Sequence, residues 1–453
     1  MTRSFLWTGV RLAALCSLLL LAACGGKQIP PRDGIPSPHL GTIRDMRSFP
    51  QDLTVFAQQA GADTPLLDSQ AQAEQDARFN RIFFGPWDMR KTSIRKRDVE
   101  IYFRKAKGYK YGDVRWTQDE WDAMRANAGL KSFPNTAMYG ITVRNADLRE
   151  MPSHTPRFSE PTPDPRINPF DYFQYSLLPV GTPVFIAHTS RDGNWYYVET
   201  PVAAGWVDAN DIGIVDEAFE ASYKTGSYVA VLRDNVPLPG SLAGQVNIGS
   251  VLPLAPSQSD NTRLAVLVPV KNGSRANVVT LTLAHEDAAI KPLPMTPAQV
   301  ALIGNVMMGQ RYGWGGMFGD RDCSARTREL LTPFGIWLPR NSLSQARSGR
   351  RIMLDGMSIK EKEKAILRDG VPFLTLVWLR GHIMLYVGPY KGRPAIFHNV
   401  WGVRTVEGAS DNERFVIGRA VVSSITPGSE LRNLYRTTTF GDRVNSITVL
   451  GGR

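Results

Sequence analysis

The stretch of short β-like runs between residues 132 and 290 limits the fold of this chain more than any other feature. Runs such as ITVRNADL and TPVFIAHT are separated by turn residues, which is typical of strands joined by short loops. The preceding segment is mostly helical in pattern, and the following one changes from helix to strand. With 453 residues, 43% of them hydrophobic, the chain can form several cores. The sequence therefore predicts a multidomain α+β protein.

The first 24 residues indicate export from the cytoplasm. Arg3 and Arg11 precede the apolar run Leu12–Ala23, which is too short to span a membrane that needs about 20 residues. The letters LAAC at its end resemble a bacterial lipobox, in which Cys24 is acylated and becomes the mature N-terminus. In Gram-negative lipoproteins, Gly25 rather than Asp after the cysteine implies the outer membrane. We therefore expect a cell-envelope lipoprotein, anchored through lipid and facing the periplasm.

Helix signals support a division of the remaining chain. Thr117 and Glu120 form a capping-box pattern that opens a helix, and Gly129 suits its end. Thr296 and Pro297 suit the first positions of another helix. The predicted segments are a lipoprotein signal peptide (1–23), a tether rich in proline and glycine (24–49), an N-terminal helical domain (50–131), two small β-barrels (132–216 and 217–290) and a C-terminal α+β domain (291–453).

Both barrels resemble bacterial SH3 (SH3b) domains. In the first, LPVGTPV, an Asp-Gly turn into WYYV, and GWV occur in that family's order. A proline-rich insert, residues 155–175, separates its two halves. The second stretch, residues 217–290, contains similar Leu-Pro and Gly-Ser-Val-Leu-Pro turn sequences, but the likeness is weaker. It is therefore a diverged SH3b domain or an ordinary β-barrel spacer.

Charge and motifs narrow the class of partner. The formal net charge of +11 favours anionic partners. The sequence has no zinc finger, no basic helix interleaved with aromatics and no P-loop, so we expect no nucleic acid and no cofactor.

A single cysteine dominates the C-terminal part of the chain. Cys16 leaves with the signal peptide and Cys24 is taken up by lipid, so Cys323 has no partner for a disulfide. Its neighbours Asp322 and Ser324 do not suit an apolar core. We therefore interpret Cys323 as a nucleophile.

The expected position of Cys323 suits that role. Asp322 is a good N-cap, which places Cys323 in the first turn of a helix that runs through Leu331. The positive end of a helix lowers a thiol pKa from about 8.5 to about 7 or below. We therefore expect an available thiolate.

Two of the six histidines are predicted to form a pair. Arg380–Gly381 reads as a two-residue hairpin turn, and a second antiparallel turn is centred on Tyr390 and Lys391. This pairing places His382 opposite residue 398 or 399, so His398 becomes its cross-strand neighbour. The strands are expected at residues 371–379, 382–388 and 395–400. The other histidines, residues 39, 154, 188 and 285, are expected to be structural or on the surface.

Cysteine with two histidines suits nucleophilic catalysis. Cys323 attacks a carbonyl, His382 acts as base and then acid, and His398 orients His382. Backbone N–H groups at the start of the cysteine helix supply the oxyanion hole. Zinc is the weaker alternative, because structural sites usually take four ligands and nothing at C-x-x-C spacing supports one.

The motifs YGWGG, RDCSA, GHIMLYVG and FHNVWG, in this order after SH3b-like repeats, resemble the NlpC/P60 peptidases of the C40 class. The likeness is greatest to lipoprotein members with an N-terminal domain, two SH3b domains and a papain-like α+β catalytic domain. It implies a catalytic triad of Cys323, His382 and His398. It also implies a hydroxyl of Tyr312 beside the oxyanion site, with Asp322 and Ser324 at the substrate or oxyanion site.

The resemblance implies a peptidoglycan hydrolase. Such peptidases cleave the bond between γ-D-glutamate and a diamino acid in wall stem peptides, through a thioester acyl-enzyme. Ala325 departs from the usual glycine of the motif, but alanine is well tolerated in a helix. Arg340 is expected to meet a substrate carboxylate or to form a structural salt bridge. The alternatives are a wall-binding lipoprotein with an inactive hydrolase domain, and an amidase or acyltransferase on the same scaffold.

Overall fold

The computed structural model describes residues 40–162, 168–406 and 414–451. The predicted signal peptide, Cys24, His39 and most of the predicted tether lie outside these ranges. Within them, no helix is long and apolar enough to cross a membrane.

Ten α-helices occur in the described part of the chain, and several begin where the sequence signals predict. Thr117 and Glu120 form the predicted capping box, and Gly129 ends that helix with φ 64°. Thr296 caps the helix that begins at Pro297. The helices are α1 (Asp45–Ser48), α2 (Leu53–Gln59), α3 (Ser69–Phe84), α4 (Lys96–Glu100), α5 (Gln118–Ala128), α6 (Glu217–Tyr223), α7 (Pro297–Met307), α8 (Cys323–Leu331), α9 (Ser342–Gln345) and α10 (Ile359–Asp369).

The strands fall into two groups on either side of α7, as the change in sequence pattern predicts. The first group is β1 (Met138–Thr142), β2 (Ala146–Arg149), β3 (Gln174–Leu178), β4 (Pro183–Thr189), β5 (Trp195–Glu199), β6 (Ala204–Asp208), β7 (Ile212–Val215), β8 (Tyr228–Val231), β9 (Val236–Leu238), β10 (Gly244–Val246), β11 (Val251–Pro253), β12 (Arg263–Asn272), β13 (Arg275–Ala284) and β14 (Ala288–Lys291). The second group is β15 (Arg350–Met353), β16 (Thr375–Leu379), β17 (His382–Tyr390), β18 (Arg393–Arg404), β19 (Arg414–Ser423) and β20 (Val444–Val449).

The two β-rich regions have separate cores but share hydrogen-bonded strands. A nine-stranded sheet has the order β12-β13-β7-β1-β4-β5-β6-β2-β3, so two strands of the second region extend the sheet of the first. One core lies within the first region and contains residues such as Leu148 and Val198. Another lies within the second region and contains Val229 and Val266. The predicted β-rich middle of the chain is confirmed.

The C-terminal domain is built on a six-stranded sheet with the order β15-β20-β16-β17-β18-β19. Helices α2, α7 and α8 pack on one face through a core that includes Phe56, Leu330 and Phe397. Helix α10 packs on the other face. This layered α+β arrangement agrees with the predicted fold class.

The N-terminal region is distributed over the molecule. Helix α2 belongs to the core of the C-terminal domain, whereas α3 packs against α6 and the middle region. Trp116 and Trp121 form an aromatic core with Phe173 and Trp206 of the first barrel. Residues 50–131 therefore support both neighbouring domains.

The predicted tether extends too far along the chain. Ile43 and Asp45 are buried, and Phe49 contributes to the core that surrounds α8. The N–H of Gly41 donates to the carbonyl of Val416 at 2.6 Å. Residues 40–49 are thus part of the folded body, because their apolar side chains pack against the C-terminal domain.

Candidate active site

Cys323 is the first residue of α8, and Asp322 is its N-cap, as predicted. The Asp322 carboxylate accepts from the N–H groups of Ser324 and Ala325 at 3.1 and 2.8 Å. Two amides of the first turn are therefore engaged by the cap. The expected oxyanion hole must rely on the remaining N–H of this turn, that of Cys323.

Arg340 fixes the cap itself. Its Nη2 lies 2.6 Å from Asp322 Oδ2, and its Nη1 lies 2.8 Å from Ser324 Oγ. Burial alone would raise the pKa of Asp322, but the guanidinium and the backbone donors hold it below its ordinary value. Of the two roles expected for Arg340, the structure shows the salt bridge.

The pKa of the Cys323 thiol differs from the prediction. Cys323 is only 5% exposed. Burial, followed by the charge of Asp322, raises the pKa of the thiol to about 12, although the N–H of Ile383 and the charge of Arg326 act in the opposite direction. The predicted lowering at the helix N-terminus is therefore wrong, because desolvation outweighs it. The resting thiol carries its hydrogen.

The two predicted histidines lie together. His382 Nε2 is 2.9 Å from His398 Nδ1, and both side chains are buried. His398 Nε2 lies 2.9 Å from Ser423 Oγ. Phe440 packs against both imidazoles, with ring centroids 5.4 and 5.8 Å away. The predicted contact between the two imidazoles is therefore confirmed, but the register that pairs Leu385 with Phe397 places His382 diagonal to His398 rather than directly opposite it.

The hairpins that create this pair follow the prediction with one shift. Arg380–Gly381 is the two-residue turn between β16 and β17. The next turn is Lys391–Gly392, one residue later than predicted, with φ 48° and 76°. Positive φ at both central residues is what such a turn requires, and Gly392 adopts it without strain. The first strand begins at Thr375 rather than at residue 371.

Both histidines are uncharged at neutral pH. Burial lowers the pKa of His382 to about 3 and that of His398 well below its ordinary value, and the charge of Arg326 adds to both effects. Arg326 is itself buried, and its Nη2 donates to the carbonyl of Phe397 at 2.8 Å. With neutral rings, the tautomers decide which nitrogen can accept a proton.

The nucleophile and the histidines meet where α8 packs against β17 and β18. The backbone N–H of Ile383, the residue that directly follows His382, is near enough to the Cys323 sulfur to act against the rise of the thiol pKa. The structure therefore brings Cys323 to the start of the strand that carries His382.

Aromatic residues surround Tyr312, which forms an isolated β-bridge with Arg321, two residues before Cys323. The ring of Phe170 lies 5.8 Å from Tyr312, 5.7 Å from Trp314 and 5.6 Å from Trp401, and the N–H of Trp314 donates to the carbonyl of Pro169. Phe170 and Pro169 come from the insert that interrupts the first barrel. The sequence marks residues 155–175 only as a proline-rich insert between two halves of a barrel, so its contact with the Tyr312 segment was not predicted.

The first barrel also contacts the loop that precedes Cys323. Gly315 and Gly316 have φ values of 64° and 91°. A Cβ on Gly316 would lie 2.6 Å from Leu177 Cβ in β3, so only glycine allows this approach. The glycines of YGWGG therefore serve the contact between domains.

The other described histidines have structural or surface positions, as predicted. His188 is buried, with Nε2 2.7 Å from the carbonyl of Ala128. His154 and His285 are exposed. In residues 40–162, 168–406 and 414–451, no three His, Cys, Asp or Glu side chains are grouped to hold a metal ion.

Family comparisons agree with this organisation. Residues 13–133 match the N-terminal NLPC_P60 stabilising domain, residues 156–208 match an SH3 domain of the SH3b1 type, and residues 309–419 match the NlpC/P60 family. The chain therefore combines an NlpC/P60 family domain with an SH3b domain and an N-terminal stabilising domain. Since that family consists of cysteine peptidases, the match supports a peptidoglycan hydrolase. The SH3b character of the second barrel stays a prediction.

A solved structure with a similar organisation has the same fold. An NlpC/P60 endopeptidase from Photobacterium damselae subsp. piscicida has a TM-score of 0.76 and 24% identity, with 91% of this chain and 98% of that chain covered. An NlpC/P60 family protein from Bacillus cereus has a TM-score of 0.41 and 16% identity over 60% of this chain and 81% of its own, too distant a likeness to support conclusions. No curated protein sequence is similar enough to count as a match.

Proposed function

We propose that this protein is a peptidoglycan hydrolase: a cysteine endopeptidase that cleaves the γ-D-glutamyl–diamino acid bond of wall stem peptides. The observation that carries the proposal is the hydrogen-bonded pair of His382 and His398. His382 begins β17, and the helix that begins at Cys323 packs against this strand. This pair lies within the segment that matches the NlpC/P60 family. The Photobacterium relative is described as an endopeptidase, which supports the same reaction class.

In the proposed mechanism, proton transfer accompanies attack. His382 takes the proton of the Cys323 thiol as the sulfur bonds to the γ-D-glutamyl carbonyl carbon. The bond from that carbon to the diamino acid nitrogen then breaks, and His382 gives the proton to the leaving amine. Water attacks the thioester next, with His382 as base, and the thiol recovers its proton. Because thiol and imidazole are both neutral at rest, no ion pair needs to exist before substrate binds.

The net charge of the chain suits a carboxylate-rich peptide. The net charge of +11 favours an acidic polymer, and the stem peptide carries several carboxylates. We assign Tyr312 a hydroxyl role beside the oxyanion, and we place Asp322 and Ser324 at the substrate side of the nucleophile. Arg340 acts through these two residues, since it holds both side chains.

Mass spectrometry of digested muropeptides tests the proposal. Wild type should release fragments that end in γ-D-glutamate, whereas Cys323→Ala should release none. Release of the whole stem peptide from the sugar would establish an amidase, and transfer to an added amine an acyltransferase. Ser446→Ala is a matched control, because this buried serine lies on β20 and hydrogen-bonds to Arg351.

A wall-binding protein without turnover is the second candidate. The observation that favours it is the burial of the site: Cys323 is 5% and His382 9% exposed. Wild type that retains sacculi in a pull-down but releases no fragment would establish this function and overturn the endopeptidase.

We also propose that the protein is anchored to the cell envelope through acylated Cys24. The support is the LAAC pattern at the end of the apolar run in the sequence. Cys24→Ser should abolish labelling with a fatty-acid probe and release the protein from membranes. Unchanged partitioning of this variant would refute the lipid anchor at Cys24.

A further inference from the structure

Ser423 hydrogen-bonds to the histidine pair from the side opposite His382. It ends β19 and is fully buried. Its Oγ lies 2.9 Å from His398 Nε2 and 2.8 Å from the carbonyl oxygen of Ser424. A carbonyl oxygen can only accept, so the single hydroxyl hydrogen of Ser423 points to Ser424. The Ser423 oxygen must then accept from His398, whose Nε2 carries a hydrogen.

This direction fixes the tautomers of both rings. A neutral imidazole has one N–H, so His398 with hydrogen on Nε2 has a bare Nδ1. That Nδ1 lies 2.9 Å from His382 Nε2 and accepts its hydrogen. His382 therefore keeps a bare Nδ1, the form in which it can take a proton. If His398 Nδ1 instead donated to His382 Nε2, the hydrogen of His382 would lie on its Nδ1. His382 could then not take a proton at Nδ1.

Asp45 fixes Ser424, the residue whose carbonyl gives the hydrogen bonds their direction. Its Oδ2 accepts from the N–H of Ser424 at 2.8 Å and from the Ser424 hydroxyl at 2.6 Å. Asp45 and Ser424 are both buried. The carbonyl of Ser424 is thereby held in place to accept from Ser423. A residue 337 positions before His382 in the chain thus reaches the histidine pair through two serines.

We propose that Ser423 is a positioning residue that holds His382 in the tautomer with a bare Nδ1, and that Asp45 supports it through Ser424. The proposal rests on the proposed function, in which His382 takes the proton of Cys323. Burial keeps both rings neutral near pH 7, which is the condition under which a tautomer is defined. Serine and aspartate therefore extend the predicted triad.

Long-range ¹H–¹⁵N spectra of histidine-labelled protein test the tautomers directly, because they distinguish bare from protonated ring nitrogens. In wild type, His382 and His398 should both carry hydrogen on Nε2 at pH 7, with assignments from His382→Gln and His398→Gln. Ser423→Ala should convert His398 to a mixture of tautomers. Ser423→Thr keeps the hydroxyl and should restore the single form. A single unchanged tautomer in Ser423→Ala would overturn the proposal.

Turnover of wall peptides is the second readout. Ser423→Ala should lower kcat about 10- to 100-fold, the range found when a partner that orients a metal-bound histidine is removed. KM should change little, and Ser423→Thr should recover most of kcat. Ser446→Ala, an equally buried change in the same sheet, should keep wild-type kcat and tautomers. An equal loss in both alanine variants would overturn the positioning role.

The two readouts separate this proposal from the proposed function. If wild type shows the expected tautomers but cleaves no wall peptide, the endopeptidase fails and the role of Ser423 in fixing the tautomers stands. If wild type cleaves the peptide and the tautomers are reversed, the role of Ser423 fails alone.

Discussion

Arg321, the residue directly before Asp322, forms a buried ion pair with Asp234 of the second barrel. Loss of Asp234 should therefore strongly destabilise the protein. Arg321 Nη1 and Nη2 each lie 2.7 Å from the Asp234 carboxylate, with side-chain exposures of 6% and 4%. Its Nε donates to Glu329 in α8. Asp234→Ala would leave the guanidinium buried with one carboxylate fewer. Removal of one partner of a buried pair costs about 3–5 kcal/mol. Because Glu329 and Gln310 remain bonded, we expect the lower end, about 3 kcal/mol.

Urea unfolding at pH 7, followed by tryptophan fluorescence, measures this loss. The matched control is Arg275→Ala, which breaks the pair between Asp216 and Arg275, with exposures of 56% and 72%, and leaves Asp216 in place as the N-cap of α6. Exposed pairs contribute about 0–1 kcal/mol, so the control should unfold near the wild-type urea concentration. Equal losses in the two variants would refute the view that burial sets the energy of the Arg321 network.

Three further predictions concern the site. Iodoacetamide should alkylate Cys323 slowly at pH 7 and faster only as the pH approaches the thiol pKa of about 12; a fast rate from about pH 5 upward would contradict this. In kcat measurements, His382→Ala should fall to the Cys323→Ala background, whereas His398→Gln should exceed His398→Ala because glutamine can still hydrogen-bond. Below pH 6.5, His398 binds a proton in the unfolded state but not in the folded state, because its pKa is lowered in the folded protein. The free energy of unfolding therefore decreases as the pH is lowered. His398→Gln should reduce that slope in urea unfolding by about 1.4 kcal/mol per pH unit; an unchanged slope would contradict it.

Features with local causes could be predicted from the sequence. The N-cap at Asp322 depends on its immediate neighbours, and the start of α8 followed from it. The adjacency of His382 and His398 needed only the positions of two short turns, so an error of one residue at Lys391–Gly392 did not separate the rings.

Features with distant causes could not be predicted. The pKa of Cys323 depends on how completely the domain buries the thiol, which the helix signal alone does not reveal. Asp45, Phe170 and Ser423 reach the site from segments far apart in the chain. Their residue types are ordinary, and only the packed structure shows what each one contacts.

Intact-mass spectrometry of rapidly quenched reactions tests the central assignment most directly. With a stem peptide as substrate, wild type should gain the mass of the γ-D-glutamyl portion, and peptide mapping should place it on Cys323 as a thioester. His382→Ala should show no adduct, because the neutral thiol then lacks its base. Cleavage by Cys323→Ala, or an adduct on any other residue, would contradict the assignment of Cys323 as the nucleophile.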